Sequence, residues 1–178
     1  MSISTDDFVA RVRYIHQMLN IPDNFAIDRN LPLQFESEDL VEINCESSDK
    51  IHKLAPEAAH AWSRLNKVAE QDGITLIVVS TYRSLEYQRA LIERKLEKGQ
   101  PILEILSLLA PPGYSEHHTG RALDLTVDDC PPCVERFENT DAFSWLENNA
   151  ADFGFRLSYP RDNPYGFVYE PWHWAFNE

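Results

Sequence analysis

Residues 121–127 constrain the fold more than any other part of the sequence. Apolar residues alternate with small or polar ones along this segment, Leu123, Leu125 and Val127 against Ala122, Asp124 and Thr126. Successive side chains of a β-strand point to opposite faces, so the pattern predicts a half-buried strand. One face should meet a hydrophobic core while the other presents Asp124. The chain must therefore build a sheet that packs on one side and carries a carboxylate on the other.

Helices and further strands surround this strand without a regular βαβ rhythm. Apolar residues at helical spacing predict helices that begin near residues 4–6 and end near 20, and that cover 56–72, 84–98, 102–109 and 141–153. Short β-rich runs predict strands over residues 74–80, 155–158 and 167–176, with a short extended piece around 40–43. This order predicts one α+β domain over residues 1–178, with a small, mostly antiparallel sheet flanked by helices.

Charge and hydropathy narrow the class of partner. The net charge of −13 argues against binding to nucleic acid or to an anionic membrane surface. Acidic residues stand where a signal peptide would be basic, and no run approaches the ~18 apolar residues of a membrane span. We therefore expect a soluble monomer without membrane insertion, cytoplasmic as the sequence is written, or in the cell envelope if a leader is missing.

The chain has three cysteines, Cys45, Cys130 and Cys133. So small and odd a number does not form a disulfide framework. The spacing of Cys130 and Cys133 is typical of redox or metal sites, but a structural zinc needs four ligands and only Cys45 remains as a further thiolate. A loop with incidental thiols or a local disulfide is the favoured interpretation.

Two short segments contain the candidate metal ligands and the candidate catalytic base. His117 and His118 precede Asp124 in the first, and Glu170 stands three residues before His173 in the second. Two histidines and one carboxylate are the ligands of a catalytic zinc whose fourth position is open to water. A nearby base must take the proton from that water, and Glu170 is the candidate. His16, His52 and His60 are expected to be surface or packing residues.

Glu170 and His173 can face the same metal only if the strand between them is irregular. Residues three apart in a regular strand face opposite ways. Pro171 cannot donate to a strand ladder and restricts the residue before it. A local departure from strand geometry at Pro171 would therefore turn Glu170 and His173 toward one metal.

These motifs make the sequence resemble the VanY-type D-alanyl-D-alanine carboxypeptidases, a group of zinc metallopeptidases that shares its fold with the hedgehog signalling domain. Three patterns carry the resemblance: Ser-x-His-x-x-Gly-x-Ala-x-Asp at residues 115–124, Glu-x-Trp-His at 170–173, and Ser-x-Tyr-Arg-Ser followed by Gln at 80–88. The similarity covers residues 40–178, so the first helix and its loop, residues 1–39, lie outside it, as does the loop of Cys130 and Cys133.

The resemblance implies a role for each matched residue. One zinc ion would be bound by His117, Asp124 and His173, and the family spacing selects His117 over His118. Glu170 would act as the general base and then the acid, and Arg83 would stabilise the oxyanion on the scissile carbonyl. The substrate peptide would be bound by four further residues: Ser115, Gln88, Trp172 and Tyr82. Trp172 has a second interpretation as a core residue.

The implied activity is removal of the C-terminal D-alanine from peptidoglycan stem peptides or their precursors. The alternatives on the same scaffold are an L,D-carboxypeptidase, a D-Ala-D-Ala dipeptidase and a peptidoglycan endopeptidase. From another class, a zinc-containing binding domain without catalysis is the alternative, and the presence of both Glu170 and Arg83 argues against it.

Overall fold

The structure is a computed structural model that describes residues 4–45 and 50–177. Its α-helices are α1 (Thr5–Met18), α2 (Phe25–Asp28), α3 (Pro56–Gln71), α4 (Leu85–Leu96), α5 (Ile102–Leu108) and α6 (Asp141–Asn149). Its strands are β1 (Val41–Ile43), β2 (His52–Leu54), β3 (Ile77–Ser80), β4 (Ala122–Thr126), β5 (Phe155–Leu157) and β6 (His173–Phe176). Three 3₁₀ turns complete the elements: Glu116–Thr119, Glu135–Asn139 and Ala150–Phe153.

The long helices begin where capping residues stop the backbone from fraying. The side-chain oxygens of Ser4, Ser84 and Thr140 each accept a hydrogen bond from the backbone N–H three residues on. Pro56 occupies the first turn of α3, where its missing N–H has no cost. All five predicted helices are confirmed, although the last turn of the helix predicted over residues 141–153 is 3₁₀ rather than α.

Four strands form an antiparallel sheet in the order β3-β4-β6-β5, and β1 and β2 form a separate antiparallel pair. Since β4 lies between β3 and β6, it is hydrogen-bonded to a neighbouring strand along both of its edges. Asp124 pairs with His173 on β6 and with Ser80 on β3, where the register shifts between Val78 and Ser80. The α+β class with a small antiparallel sheet is confirmed.

Two strand predictions were wrong. The strand at 121–127 was expected to be half-buried, but all five residues of β4 are buried. One face packs in the core, and the other is covered by the side chains that contact Asp124. The predicted strand at 167–176 begins only at His173, because a turn from Glu170 to His173 interrupts it, with the N–H of His173 donating to the carbonyl of Glu170 over 3.0 Å.

Two hydrophobic clusters hold the fold together. The first, here called the sheet cluster, packs α3 and α6 against the sheet through buried residues such as Leu65, Leu123, Phe143, Leu146 and Trp174. The second, here called the helix cluster, joins α1, α4 and α5 to the loops before β6 through buried residues such as Phe8, Leu85, Ile92, Ile105 and Phe167. In the part of the chain that the structure describes, no helix is long and apolar enough to cross a membrane.

Candidate active site

His117, Asp124 and His173 come together at the centre of the sheet. One ligand-type atom from each lies within 4.8 Å of the others, and all three residues are buried. Asp124 and His173 are partners on neighbouring antiparallel strands, so their side chains project from the same face. His117 reaches them from the 3₁₀ turn that precedes β4.

Gly120 makes the link between that turn and β4 possible. Its φ of 68° lies in the left-handed region that favours glycine. A Cβ at this position would come within 2.8 Å of the backbone nitrogen of Ala55 and of a methyl group of Leu40. The chain therefore turns sharply enough to bring His117 back over Asp124.

Hydrogen bonds from the outer nitrogens fix both imidazole rings. His117 Nδ1 lies 2.6 Å from the carbonyl of Thr81, and His173 Nε2 lies 2.8 Å from Glu116 Oε2. The inner nitrogens then face Asp124, at 3.3 Å for His117 Nε2 and 3.0 Å for His173 Nδ1. Histidines that ligate metals are oriented in this way by an acceptor on the other ring nitrogen.

His117 and Asp124 are already in the protonation states that bind a cation, whereas His173 must first lose a proton. Burial and the charge of Arg83 lower the pKa of His117 to about 4, so its imidazole is neutral near pH 7. Burial opposes ionisation of Asp124, but His117 and Arg83 hold the pKa of that carboxyl well below its usual range. Burial also opposes the charge on His173, but its bonds to Asp124 and Glu116 outweigh burial and raise its pKa to about 10. A metal ion bound to His173 would therefore displace a proton.

The three residues thus offer two imidazole nitrogens and one carboxylate oxygen to a single ion. This set suits zinc, and three protein ligands with an open position are typical of a catalytic rather than a structural zinc site. In the described residues, this is the one group of three or more histidines, cysteines and carboxylates arranged closely enough to hold a metal.

Glu170 lies beside this group. Its side chain is enclosed, and burial raises its pKa to about 7, even though the charge of His173 acts in the opposite direction. The turn at Pro171 places Glu170 and His173 on the same cavity. A carboxyl group with a pKa near 7 can both accept and return a proton at neutral pH.

Arg83 is bound directly to Asp124. Its guanidinium forms an ion pair with Asp124 Oδ2, and its Nε donates to Ser80 Oγ over 2.8 Å. Its backbone N–H donates to the carbonyl of His117 over 3.1 Å. Arg83 is thus tied to the candidate metal ligands through both side chain and backbone.

One cavity of about 90 Å³ connects these groups. Eight of the nine residues that the sequence singled out line it: Arg83, Gln88, Ser115, His117, Asp124, Glu170, Trp172 and His173. Residues 108–110 and Phe167 supply an apolar wall. Gln88 is 1% exposed and its amide nitrogen donates to the carbonyl of Ala110 over 2.9 Å, which fixes that wall to α4.

Tyr82 and His118 lie elsewhere. Tyr82 does not line the cavity; its hydroxyl lies 3.5 Å from a carboxylate oxygen of Glu36, in a separate depression. His118 is fully buried, with Nδ1 2.6 Å from the carbonyl of Arg83 and Nε2 accepting from the N–H of Gly113 over 3.1 Å. Both nitrogens of His118 are therefore engaged within the protein.

The sequence analysis did not assign to the site three residues that the structure places there. Glu116 orients His173, Tyr159 stacks its ring 4.8 Å from that of His173, and Cys133 lines the cavity. Glu116 could have been noticed because it adjoins His117, but nothing in the sequence links Tyr159 to a histidine 14 residues later. All three cysteines are free thiols, so the alternative of a local disulfide does not hold in this structure.

An α+β domain with a buried His-Asp-His group, a carboxyl group beside it and an arginine facing it has the constellation of a mononuclear metal-dependent hydrolase. The chain belongs to the family described as VanY, D-alanyl-D-alanine carboxypeptidase, whose sequence model matches residues 51–178.

Individual relatives agree with this assignment. The putative carboxypeptidase YodJ of Bacillus subtilis (strain 168) is 34% identical over 151 residues, which cover 80% of this chain and 55% of YodJ. The chain thus spans about half the length of the curated relatives that it matches.

Two solved structures extend the comparison. The LD-carboxypeptidase LdcB superposes with a TM-score of 0.71 at 30% identity, covering 82% of this chain and 71% of LdcB. A mutant of the vancomycin resistance D,D-pentapeptidase VanY in complex with Zn(II) superposes with a TM-score of 0.64 at 26% identity, covering 82% of each chain. The predicted family resemblance and the predicted fold are confirmed.

Proposed function

We propose that this protein is a zinc-dependent carboxypeptidase that removes the C-terminal D-alanine from peptidoglycan stem peptides or their precursors. The observation that carries the proposal is the shared cavity of the His117–Asp124–His173 group, Glu170 and Arg83. The zinc complex of the VanY mutant supports the choice of metal, since that relative shares the fold.

His117 Nε2, His173 Nδ1 and a carboxylate oxygen of Asp124 would hold the ion. Zinc, when bound, would polarise the scissile carbonyl and lower the pKa of a water molecule. Glu170 takes the proton from the attacking water and returns it to the leaving amine, which its pKa of about 7 permits.

Arg83 stabilises the charge that develops on the carbonyl oxygen. A guanidinium group has five N–H donors. Its side-chain hydrogen bonds to Ser80 and Asp124 occupy one N–H on each of two nitrogens. The remaining donors are held in place for the oxyanion, because the two contacts fix the plane of the group. Such preorganised donors are worth ~3 kcal/mol each.

The size of the cavity favours a substrate whose C-terminal residue is small. The whole cavity has a volume of only about 90 Å³, and its apolar wall of residues 108–110 and Phe167 suits a methyl group better than a long side chain. Gln88 and Ser115, both buried at the same cavity, supply polar groups for the peptide. We therefore propose alanine as the residue removed.

A second candidate is an L,D-carboxypeptidase that acts on tetrapeptide stems. The observation that favours it is the TM-score of 0.71 with LdcB, against 0.64 with the VanY mutant. Both reactions use the same metal, base and arginine, and they differ in the configuration of the penultimate residue.

Mass spectrometry of stem peptides incubated with the zinc-loaded protein tests the proposal. We expect the pentapeptide to lose one alanine, and loss from the tetrapeptide instead would favour the second candidate. The variant Glu170→Gln should retain zinc and lose hydrolysis by a factor of ~10²–10⁴. No cleavage of either peptide by the wild type would refute the proposed function.

We further propose that the protein acts as a monomer and does not bind nucleic acid, in line with its net charge of −13. Light scattering gives the oligomeric state, and fractionation of cells assigns the compartment to cytoplasm or envelope. A stable dimer in solution would contradict the monomer.

A further inference from the structure

The segment 31–39, which precedes the family match at residues 51–178, lies against the loops of the active site. The N–H of Gln34 donates to the carbonyl of Gly113 over 2.7 Å, and the N–H of Ser37 donates to the carbonyl of His118 over 2.8 Å. Both bonds reach the loop that carries Ser115 and His117. The segment is therefore attached to the active-site loop by its backbone.

Glu36 extends this attachment to the turn that carries Arg83. Its Oε1 accepts the backbone N–H of Leu85 over 2.8 Å and lies 3.5 Å from the hydroxyl of Tyr82. One carboxylate thus contacts the residues on both sides of Arg83 and Ser84. Its side chain is only 16% exposed, so water competes little for these bonds.

The hydrogen bond from Leu85 to Glu36 stabilises the N-terminus of helix α4. Leu85 is the first residue of α4, and the first N–H groups of a helix have no partner inside it. A carboxylate there satisfies one of them and interacts favourably with the positive end of the helix. Ser84 caps the N–H of Tyr87, so Glu36 and Ser84 together fix where the helix begins.

The same turn is tied to the metal-binding loop. Arg83 donates its N–H to the carbonyl of His117 and accepts from His118 Nδ1 at 2.6 Å. The side chain of Glu36 contacts Tyr82 and Leu85, on either side of Arg83 and Ser84, and the backbone of its neighbour Ser37 contacts His118. Two consecutive residues thus set the separation of the Arg83 turn and the His117 loop.

We propose that Glu36 is a positioning residue for Arg83, and that residues 31–39 are part of the working active site. This inference rests on the proposed function in so far as Arg83 stabilises the oxyanion. In the described part of the chain, the side chain of Glu36 bonds to Arg11, Tyr82 and Leu85 and to none of the three candidate metal ligands, so its loss should change turnover and leave zinc binding intact.

Kinetics of Glu36→Ala in the full, zinc-loaded chain test the proposal. A displacement of ~1 Å in a catalytic group can cost ~100-fold, so we expect kcat to fall at least about tenfold while KM stays within about twofold. Zinc content should stay stoichiometric. Glu36→Gln should recover most of kcat, because its amide oxygen can still accept from Leu85.

Arg11→Ala is the matched control. Arg11 stands on α1, and its Nη1 lies 3.3 Å from Glu36 Oε2. The side chain of Arg11 is 39% exposed. Its removal breaks the ion pair but leaves the bonds from Glu36 to the Arg83 turn, so kcat should stay within about twofold. An equal fall of kcat in Arg11→Ala would overturn the proposal, as would an unchanged kcat in Glu36→Ala.

Hydrogen exchange keeps the test independent of the proposed function. In Glu36→Ala, the amides of residues 82–88 should exchange faster than in the wild type, while those of α3 and α6 keep their rates. Unchanged exchange at 82–88 would overturn the positioning role, even if the wild type cleaved neither peptide. A wild type without activity, together with faster exchange at 82–88, would refute the proposed function alone.

Discussion

The two sides of the active site are built differently. On one side, here called the metal side, Asp124 and His173 stand on paired central strands and His117 folds over them, with each imidazole held by an outer acceptor. On the other, here called the substrate side, Arg83 stands on a turn and residues 108–110 form the end of helix α5 and the residues just after it. The metal side is set by strand register, which admits few alternatives. The substrate side is set by loops and by contacts from the N-terminal segment.

This difference implies that metal binding and substrate handling can be disturbed separately. A change on the metal side should weaken or remove zinc binding, and activity should fall with it. A change on the substrate side should leave the ion in place and alter rate or specificity. Each of the following variants is a test of that separation.

The largest effect is expected from His117→Ala. It removes one of three ligand atoms, so zinc should be lost and activity should fall to below about a thousandth, since a catalytic metal supplies several kcal/mol. His118→Ala is the matched control and should keep stoichiometric zinc, although the loss of its two buried hydrogen bonds should cost about 1–3 kcal/mol of stability. Metal analysis and thermal unfolding check both variants. The assignment fails if His118→Ala loses the metal and His117→Ala keeps it.

Arg83→Ala should show the next largest effect, on the substrate side. Loss of one oxyanion donor typically costs ~3 kcal/mol, so kcat/KM should fall about 100-fold. Zinc content should not change, because Arg83 bonds to Asp124 without being a ligand itself. Steady-state kinetics and metal analysis of the same sample measure this. Loss of zinc in this variant would contradict the separation of the two sides.

Glu116→Ala should weaken the metal side without abolishing it. His173 would lose the acceptor on its outer nitrogen, and loss of such a partner typically lowers metal affinity ~10–100-fold. Competition with a chelator measures the zinc affinity, and excess zinc should restore most of kcat. An unchanged affinity would mean that strand pairing alone orients His173.

Leu109→Ala should give the smallest effect, and on specificity only. The shorter side chain enlarges the apolar wall, so peptides that end in D-valine or D-leucine should gain about tenfold relative to D-alanine, as expected for a few methylene groups. Relative kcat/KM values for the three peptides measure the change. If these relative values stay the same as in the wild type, residues 108–110 do not contact the terminal residue.

The sequence predicted the metal side well because its residues lie in short motifs. Asp124 and His173 were identified from spacing, and the alternation around Asp124 placed it correctly on a strand. The burial of both faces of β4 could not be predicted, since the cover comes from Arg83 and His117, which are distant along the chain or fold back over it.

The substrate side was predicted less well. The family resemblance implied that Tyr82 binds the substrate, but successive residues of an extended turn point apart and Tyr82 faces Glu36. The apolar wall at residues 108–110 has no motif, and it meets Gln88 only through tertiary packing. The contacts of Glu36 link residues 49 positions apart, which local patterns do not encode.

The most direct test of the account is anomalous diffraction at the zinc edge from crystals of the zinc-loaded protein. We predict one strong anomalous peak that marks a zinc ion. It should lie at zinc–nitrogen and zinc–oxygen bond distances, about 2.0–2.2 Å, from His117 Nε2, His173 Nδ1 and a carboxylate oxygen of Asp124. A peak at His118 or at Cys130 and Cys133, or no peak near Asp124, would contradict the account.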